Sequence, residues 1–391
     1  MSKSAIVVGG GIGGLATAIG LRRAGWQVQV LEQAPEFRTV GAGLGLTPNA
    51  VRAMEWLGLG GRLRERGIAQ GTAGLRIPSG RWIMRTGLRE LEQRYGVPSY
   101  ALHRADMHRI LLESLDGDSL RTGHRVTDVS TDADRAVVTY TGPDGPATLS
   151  ADLVVGADGV HSRVRQSIFP GRARPVYAGY FTWRGMVPAD RTAGIHREEG
   201  LAETWGRGRR FGVAPLPDGR IAWFATLSAP EGAHRDADLA TIARYFRGWH
   251  APIQQLLRVT PPEALLRHDI YHLWTPLPGY VHGRVALVGD AAHAVTPDLG
   301  QGACLALEGA VTLSELVDTK STVADALAGY EALQVPRAQR IARASAVAGR
   351  IAQWRSPMAA SLRNAVAWLT PTSVYLRSAA ETYSWQPAAR H

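Results

Sequence analysis

The segment Ala5-Ile-Val-Val-Gly-Gly-Gly-Ile-Gly-Gly14 constrains the fold more than any other part of the chain. Ala5 to Val8 is short, apolar and β-prone, and glycines follow at once. The run therefore divides into a buried strand, a glycine turn and the start of a helix. Gly9, Gly11 and Gly14 fit the spacing G-x-G-x-x-G. The three glycines serve in turn for a tight turn, close approach of backbone to a pyrophosphate, and close packing of the helix on the strand. The helix N-terminus adds partial positive charge for the phosphates. A second strand, Val28 to Leu31, ends at Glu32, eighteen residues beyond Gly14, where a carboxylate can accept hydrogen bonds from ribose hydroxyls. A structural turn with an incidental glutamate is the competing reading, but strand, turn, helix and terminal acid all agree on a βαβ dinucleotide site. The fingerprint does not choose between NAD and FAD.

The same apolar stretch, Ala5 to Leu21, carries no charge until Arg22, yet its glycines and the lack of a cleavage signal argue against a signal peptide or membrane span. With 391 residues and 45% hydrophobic composition the chain can bury a large core, and two interleaved domains are expected. A single cysteine, Cys304, excludes an internal disulfide framework and a multi-cysteine metal site, and fits a reducing cytoplasm. The net charge of +10 comes from arginine spread along the chain rather than from a basic tract, so no nucleic-acid partner is expected.

Beyond the first unit, Leu102 to Leu115 reads as an amphipathic helix, Ala136 to Ser150 as a hairpin and Asp152 to Gly156 as another buried strand. From Tyr177 to Thr226 the pattern changes to period-two strands carrying Trp183, Trp205 and Trp223, which suggests an antiparallel sheet in its own layer. Val285 to Val288 returns to the first domain, a helix starts near Gly302, and the sequence after Ala324 is mostly helical.

Two further segments complete the pattern: Leu153-Val-Val-Gly-Ala-Asp-Gly-Val-His-Ser-Arg-Val-Arg165, and Gly283-Arg-Val-Ala-Leu-Val-Gly-Asp-Ala-Ala-His293 running on to Gly302. With the glycine fingerprint, in this order, they resemble the group A flavoprotein monooxygenases, the family of salicylate, hydroxybenzoate and urate hydroxylases. The resemblance spans residues 4 to about 345. It implies an α/β fold with an α+β substrate layer: a glutathione-reductase-like Rossmann domain for noncovalent FAD, interleaved with an antiparallel-sheet substrate domain and followed by C-terminal helices. The expected divisions are 1–72, 101–173 and 279–345 for FAD, 73–100 and 174–278 for the substrate layer, and 346–391 for the C-terminal helices.

Carried over by position, Gly9, Gly11 and Gly14 would contact the pyrophosphate, Glu32 the ribose, and Arg104 the phosphate and ribose region. Asp290 would bind the ribityl chain or pyrophosphate edge, Asp158 and Gly159 would serve FAD and the nicotinamide, and Arg163 is a candidate phosphate contact. Pro297, Gly300 and Gly302 form a loop whose helix dipole would favour the negative charge of reduced flavin. The activity implied is NADH- or NADPH-driven hydroxylation of a small aromatic, phenolic or polycyclic molecule by dioxygen, through a flavin C(4a)-hydroperoxide. Epoxidation or oxidative ring rearrangement, or a non-catalytic flavin-binding redox role, are the alternatives, and the halogenase signature is absent. Arg184 and Arg210 are candidate anchors for an acidic substrate, and no catalytic base is named. Leu305 and Gly309 depart from the family pattern, and Ala222 stands where the urate hydroxylases carry a tyrosine, which argues against urate.

Simpler roles compete at several positions. Asp290 could cap a helix, His161 and His293 are read as structural, the three tryptophans as sheet core and Cys304 as packing. Arg337, Arg340 and Arg343, followed by Trp354, Trp368 and Tyr375, resemble an interfacial membrane helix, but Pro357 and Pro371 favour a helical cap or dimer contact. No metal site and no integral membrane segment are expected, and the chain is taken as a monomer or homodimer.

Overall fold

A computed structural model describes residues 3–37, 42–172 and 174–387; the expected division edges at 1, 173 and 391 lie outside them. The first layer is a six-stranded sheet whose centre is Ser4–Val8, paired in parallel with Gln27–Leu31 on one side and Leu153–Gly156 on the other. Val285–Leu287 extends it in parallel beyond Leu153–Gly156. Parallel strands covered on both faces need continuous apolar runs, and Val7, Val30, Val154 and Val155 are completely buried. Burying each such side chain contributes roughly 1.5–3 kcal/mol. The helices Ile12–Arg23 and Gly302–Thr319 pack tightly enough that a Cβ on Gly20 would lie 2.2 Å from the Ser314 hydroxyl.

The second layer is a seven-stranded sheet built around the long strand Val176–Val187, which pairs antiparallel with Ile221–Ser228 and Leu266–His272. Arg209–Pro215 and Leu201–Trp205 continue it, and Thr72–Arg76 joins by parallel pairing with Leu201–Trp205. Period-two alternation sorts its residues into two sets. Phe181, Trp183, Phe211, Val213, Trp223 and Ala225 pack under the helices Leu239–Tyr245 and Ile253–Val259 as a second core. The alternate positions, Tyr180, Thr182, Arg184, Arg210, Ala222, Phe224 and Thr226, turn to the other face, as the register Arg184↔Phe224 and Arg210↔Thr226 requires.

The helix expected over Leu102 to Leu115 is corrected. Tyr100–His103 is a strand paired with Gly43–Leu46, and the helix runs only over Arg104–Leu112. Leu102 is apolar for its place in this small sheet, so helical periodicity overreaches by two residues at the start, and by three at the end. The C-terminal region is helical as expected, in the segments Val323–Ala352, Pro357–Leu369 and Thr372–Tyr383. Pro357 occupies the first turn of its helix, where its missing N–H removes no bond, and Ser356 caps it.

A buried polar chain ties this region to the core. The Asn49 amide donates to Gln301 at 2.9 Å and to Glu308, and Glu308 accepts from Arg337 at 2.6 and 3.0 Å. Arg337 in turn donates to the carbonyls of Glu381 and Thr382. Glu308 is fully buried, so removing its cation strands a charge. Arg337→Met is expected to lower unfolding free energy by about 3–5 kcal/mol, read from the urea midpoint; a loss below about 1 kcal/mol would show the pair to be dispensable.

Candidate functional site

The glycine turn is shaped by contact. Gly9 has φ +105°, and a Cβ there would lie 2.5 Å from the Ala157 carbonyl oxygen; a Cβ on Gly14 would lie 1.9 Å from the Gly9 oxygen. Beyond its chain neighbours, a Cβ on Gly11 would meet no atom of the described residues within 4 Å, so Gly11 keeps a cradle clear rather than relieving a clash. The helix Ile12–Arg23 has no side-chain cap and no acid in its first turn, leaving its N-terminal amides to a ligand anion. Glu32 lies over this turn: one oxygen accepts from the Gly10 amide and the other from the Ala34 amide, both at 2.8 Å. Each retains a lone pair for a hydroxyl.

The Asp-Gly turn lies beside it, since the Ala157 amide donates to the Val8 carbonyl at 2.8 Å. Asp158 spends its carboxylate locally, accepting from the Ser162 hydroxyl at 2.5 Å and from the amides of Arg163 and Val164 at 2.6 and 3.1 Å. Burial pushes its pKa up, and these bonds pull against that shift. Asp158 thus sets the turn, with Gly159 at φ +81°, and what it offers a ligand is backbone. Arg163 is turned elsewhere, bonding the Thr127 carbonyl at 2.7 Å, so the phosphate contact expected from sequence is not among the groups brought together here.

Sequence reasoning assigns no role to Arg165, which joins the motifs. Its buried guanidinium donates to Val160 at 2.6 Å and to Ala291 at 2.9 Å, locking the Asp-Gly turn to the helix Asp290–His293. The position before that helix is Gly289 at φ +64°, with no side-chain cap, so Asp290 is not the N-cap that a simpler reading would make it. Among the described residues no donor bonds its carboxylate. Asp290 is solvent-accessible yet enclosed by protein; burial raises its pKa, and Arg104 and Arg165 moderate the shift. Arg104, starting the helix Arg104–Leu112, also has no carboxylate partner among the described residues. It faces Arg184: burial lowers the Arg184 pKa, and Arg104 lowers it further. His268, across from Thr182, joins the cluster, its pKa lowered by burial and then by Arg184, Arg104 and Arg267.

Pro297, Gly300 and Gly302 lie where the two layers meet. Gly300 has φ +65°, and the helix Gly302–Thr319 begins without a side-chain cap. The residue that fixes the loop is Asp298, which sequence reasoning passes over. It accepts from Arg210 at 2.6 Å and from the Tyr180 hydroxyl at 2.8 Å, both on the sheet. Arg210 also donates to Glu203 at 3.2 Å and is 4% exposed. Burial pulls its pKa down, and the two carboxylates more than reverse this. The expectation that Arg210 anchors an acidic substrate is therefore corrected: two carboxylates already face one guanidinium, and a third anion would be repelled. The shared sheet face of Tyr180, Thr182 and Arg184 is the signal that could have found part of this cluster.

Trp183 and Trp223 are core, as expected, whereas Trp205 lies beneath the Arg363 guanidinium, 5.2 Å from its ring centre. Cys304 is buried and its pKa is pushed up to about 11 by burial, in keeping with packing. Ala222 faces the strand Gly43–Leu46 so closely that a Cβ on Gly43 would lie 2.8 Å from its own.

These features fit FAD: a cradle cleared at Gly11, uncapped helix N-termini for anionic groups, and carboxylates at Glu32 and Asp290 for hydroxyls. The chain belongs to the family described as FAD binding domain, matched over residues 2–345. Within it, the protein is a group A flavin-dependent aromatic monooxygenase. It is 38% identical over 360 residues to the aurachin C monooxygenase/isomerase of Stigmatella aurantiaca, covering 92% of both chains. It is 36% identical over 342 residues to the FAD-dependent urate hydroxylase of Klebsiella pneumoniae, covering 85% of this chain and 86% of that one. The structure of Klebsiella pneumoniae HpxO complexed with FAD and uric acid superimposes with a TM-score of 0.90 at 30% identity, covering 99% of this chain and 98% of that one.

The glycines separate two effects. Gly11→Ala is expected to leave apo-protein stability within about 0.5 kcal/mol while weakening FAD binding, whereas Gly14→Ala disrupts the turn and lowers both. Fluorescence titration with FAD beside thermal melts of the apo-protein reads this, and unchanged FAD affinity in Gly11→Ala would remove the cradle.

His293 gives a pH test. Neither ring nitrogen has a partner among the described residues, and burial pushes its pKa from 6.5 to about 4. The unfolded chain takes up the proton near pH 6.5 and the folded protein only near 4, so stability is lost as pH falls through that window. By pH 5 the loss is about 2 kcal/mol. His293→Asn should show a correspondingly smaller drop between pH 7 and pH 5 in urea unfolding; an equal drop would mean the imidazole is not what titrates.

Proposed function

We propose that the protein is an NAD(P)H-dependent monooxygenase that hydroxylates a small aromatic or phenolic molecule. The observation that carries this reading is the juxtaposition at the layer boundary. The sheet face bearing Tyr180, Thr182, Arg184 and Ala222 is tied through Arg210 and Asp298 to the loop leading into the uncapped helix Gly302–Thr319. Gly9, Gly11, Gly14, Glu32, Arg104 and Asp290 would hold FAD, which would supply the hydride-accepting and dioxygen-activating chemistry for transfer of one oxygen atom to a ring.

The chain's own groups do the rest. The amides around Gly300 to Gly302 favour negative charge on the ring system they face. Arg184, with Arg104 beside it and no carboxylate partner among the described residues, offers a guanidinium to a phenolate or carboxylate, and polarises a phenol toward its anion. The apolar wall of Ala222 and Phe224 excludes water from a flat ring. Ala222 leaves no phenol hydroxyl at that position, which argues against urate. For the nicotinamide, a cavity of about 1020 Å³ opens beside the Asp-Gly turn; Asp236, Asp238 and Asp269 line it and Asp269 already pairs Arg267, so Arg235 and the His161 and His268 rings are left to meet a pyrophosphate.

Ring rearrangement is the second reading, favoured by the similarity to a monooxygenase that is also named an isomerase. Purified holoenzyme is expected to be yellow and to oxidise NADH or NADPH faster with a phenol, quinolone or polycyclic aromatic from a panel. One atom from labelled dioxygen should appear in the product. NMR of the product skeleton separates hydroxylation from rearrangement, and absence of substrate-stimulated oxidation across the panel would favour a redox-binding role instead. Arg184→Gln should lower kcat/KM for a phenolic substrate by about 10- to 100-fold, the worth of a charged hydrogen bond, with thermal stability unchanged; an unaltered kcat/KM would remove Arg184 from the site.

A further inference from the structure

The helix Pro357–Leu369 is built inside out. Its one charged residue, Arg363, is 4% exposed and donates inward to the carbonyls of Ala352 at 2.7 Å and Gly206 at 3.0 Å. Its apolar side chains point the other way: Met358, Leu362, Val366, Trp368 and Leu369 are 83, 61, 56, 65 and 70% exposed. A solvated helix has the opposite arrangement. The spacing of Met358, Leu362, Val366 and Leu369 makes one continuous stripe, and exposed Val374 extends it past the Pro371 turn. Apolar residues scattered singly are ordinary, but a contiguous stripe marks a surface that something covers.

The charge around the stripe identifies the occupant. Of the seven arginines in residues 332–380, Arg337 and Arg340 pair with Glu308 and Glu381 and Arg363 is buried, so the cations that bear on the stripe are those at its ends. Arg355 flanks one end of the helix and Arg377 lies beyond the other, both exposed, and Arg85 is exposed on the adjacent strand Trp82–Gly87. A second copy of the chain, meeting this face about a two-fold axis, would bring the same arginines against one another. A surface of anionic lipid headgroups complements them, and Trp368 suits the boundary between headgroup and acyl chain.

We propose that the face of Pro357–Leu369 docks the enzyme on an anionic lipid surface, lying in the plane of the interface. At about 20 Å the helix is too short to cross a bilayer, and among the described residues no helix is long and apolar enough to do so. Arg363 lies over the ring of Trp205, on the strand that carries Glu203, so the docked helix is continuous with the sheet that the proposed function sets against the flavin. A lipophilic aromatic substrate would then reach that sheet from the lipid side.

The test uses FAD-loaded full-length protein and vesicles of phosphatidylglycerol and phosphatidylcholine in equal parts, with phosphatidylcholine vesicles as control. The protein is expected to cosediment with the anionic vesicles, weakly with the neutral ones, and less at high salt. Leu362→Gln combined with Leu369→Gln should reduce the vesicle-bound fraction at least tenfold while leaving flavin content and melting temperature unchanged, since both side chains are exposed. Sedimentation velocity of wild type and double variant is run alongside. No binding to anionic vesicles, equal binding to neutral ones, or binding indifferent to the double variant would overturn the proposal. A dimer that the double variant disperses would also overturn it, in favour of a second copy.

Discussion

A buried ion pair joins the two layers of this protein. Asp298 lies on the loop before the helix Gly302–Thr319, Arg210 on the seven-stranded sheet, and their contact at 2.6 Å is closed to water. Charges so enclosed cannot exchange their partners for water, which makes the pair a strict positional constraint even though its net contribution to stability is modest. Glu203 and the Tyr180 hydroxyl complete the cluster. The loop amides and the sheet face are therefore fixed relative to each other, and any chemistry between them inherits that geometry.

A second constraint comes from Arg165, whose two donors span the Asp-Gly turn and the helix bearing Asp290. Three motifs far apart in sequence thus converge through one glycine contact, Gly9 against Ala157, and one buried guanidinium. The glycines keep backbone close to backbone. The arginine satisfies carbonyls that a ligand could not reach.

Much of this is legible in the sequence, because local rules suffice where the chain is locally determined. Glycine spacing, the apolar strand and the terminal Glu32 specify the βαβ unit without reference to the rest of the molecule, and the alternating tryptophans mark the sheet. What is not legible depends on pairing across the fold. Arg210 reads as a free anchor because nothing local reveals Asp298 and Glu203 opposite it. Leu102 reads as helical because an apolar residue before a helix carries no sign of the strand Gly43–Leu46 that claims it. Asp158 reads as a ligand for the cofactor, and the sequence does not show that its carboxylate also accepts three bonds from the turn it stabilises. The inverted helix at the C-terminal end shows its composition but not its orientation, since a single arginine does not announce which way it faces.

The alternation of the seven-stranded sheet separates two kinds of selection. Odd-numbered residues of Val176–Val187, such as Phe181 and Trp183, fill the core under the covering helices, while even-numbered ones, such as Thr182 and Arg184, look toward the cofactor layer. Substitution on one set is felt as stability and on the other as specificity, with little crossover because a backbone ladder stands between them. Changes at Thr182, Arg184, Ala222 or Phe224 therefore alter the face turned to the cofactor layer without first requiring compensating mutations in the core. Evolvability of this kind is a property of the pleat, available to any sequence that keeps its large aromatics on one side of the sheet.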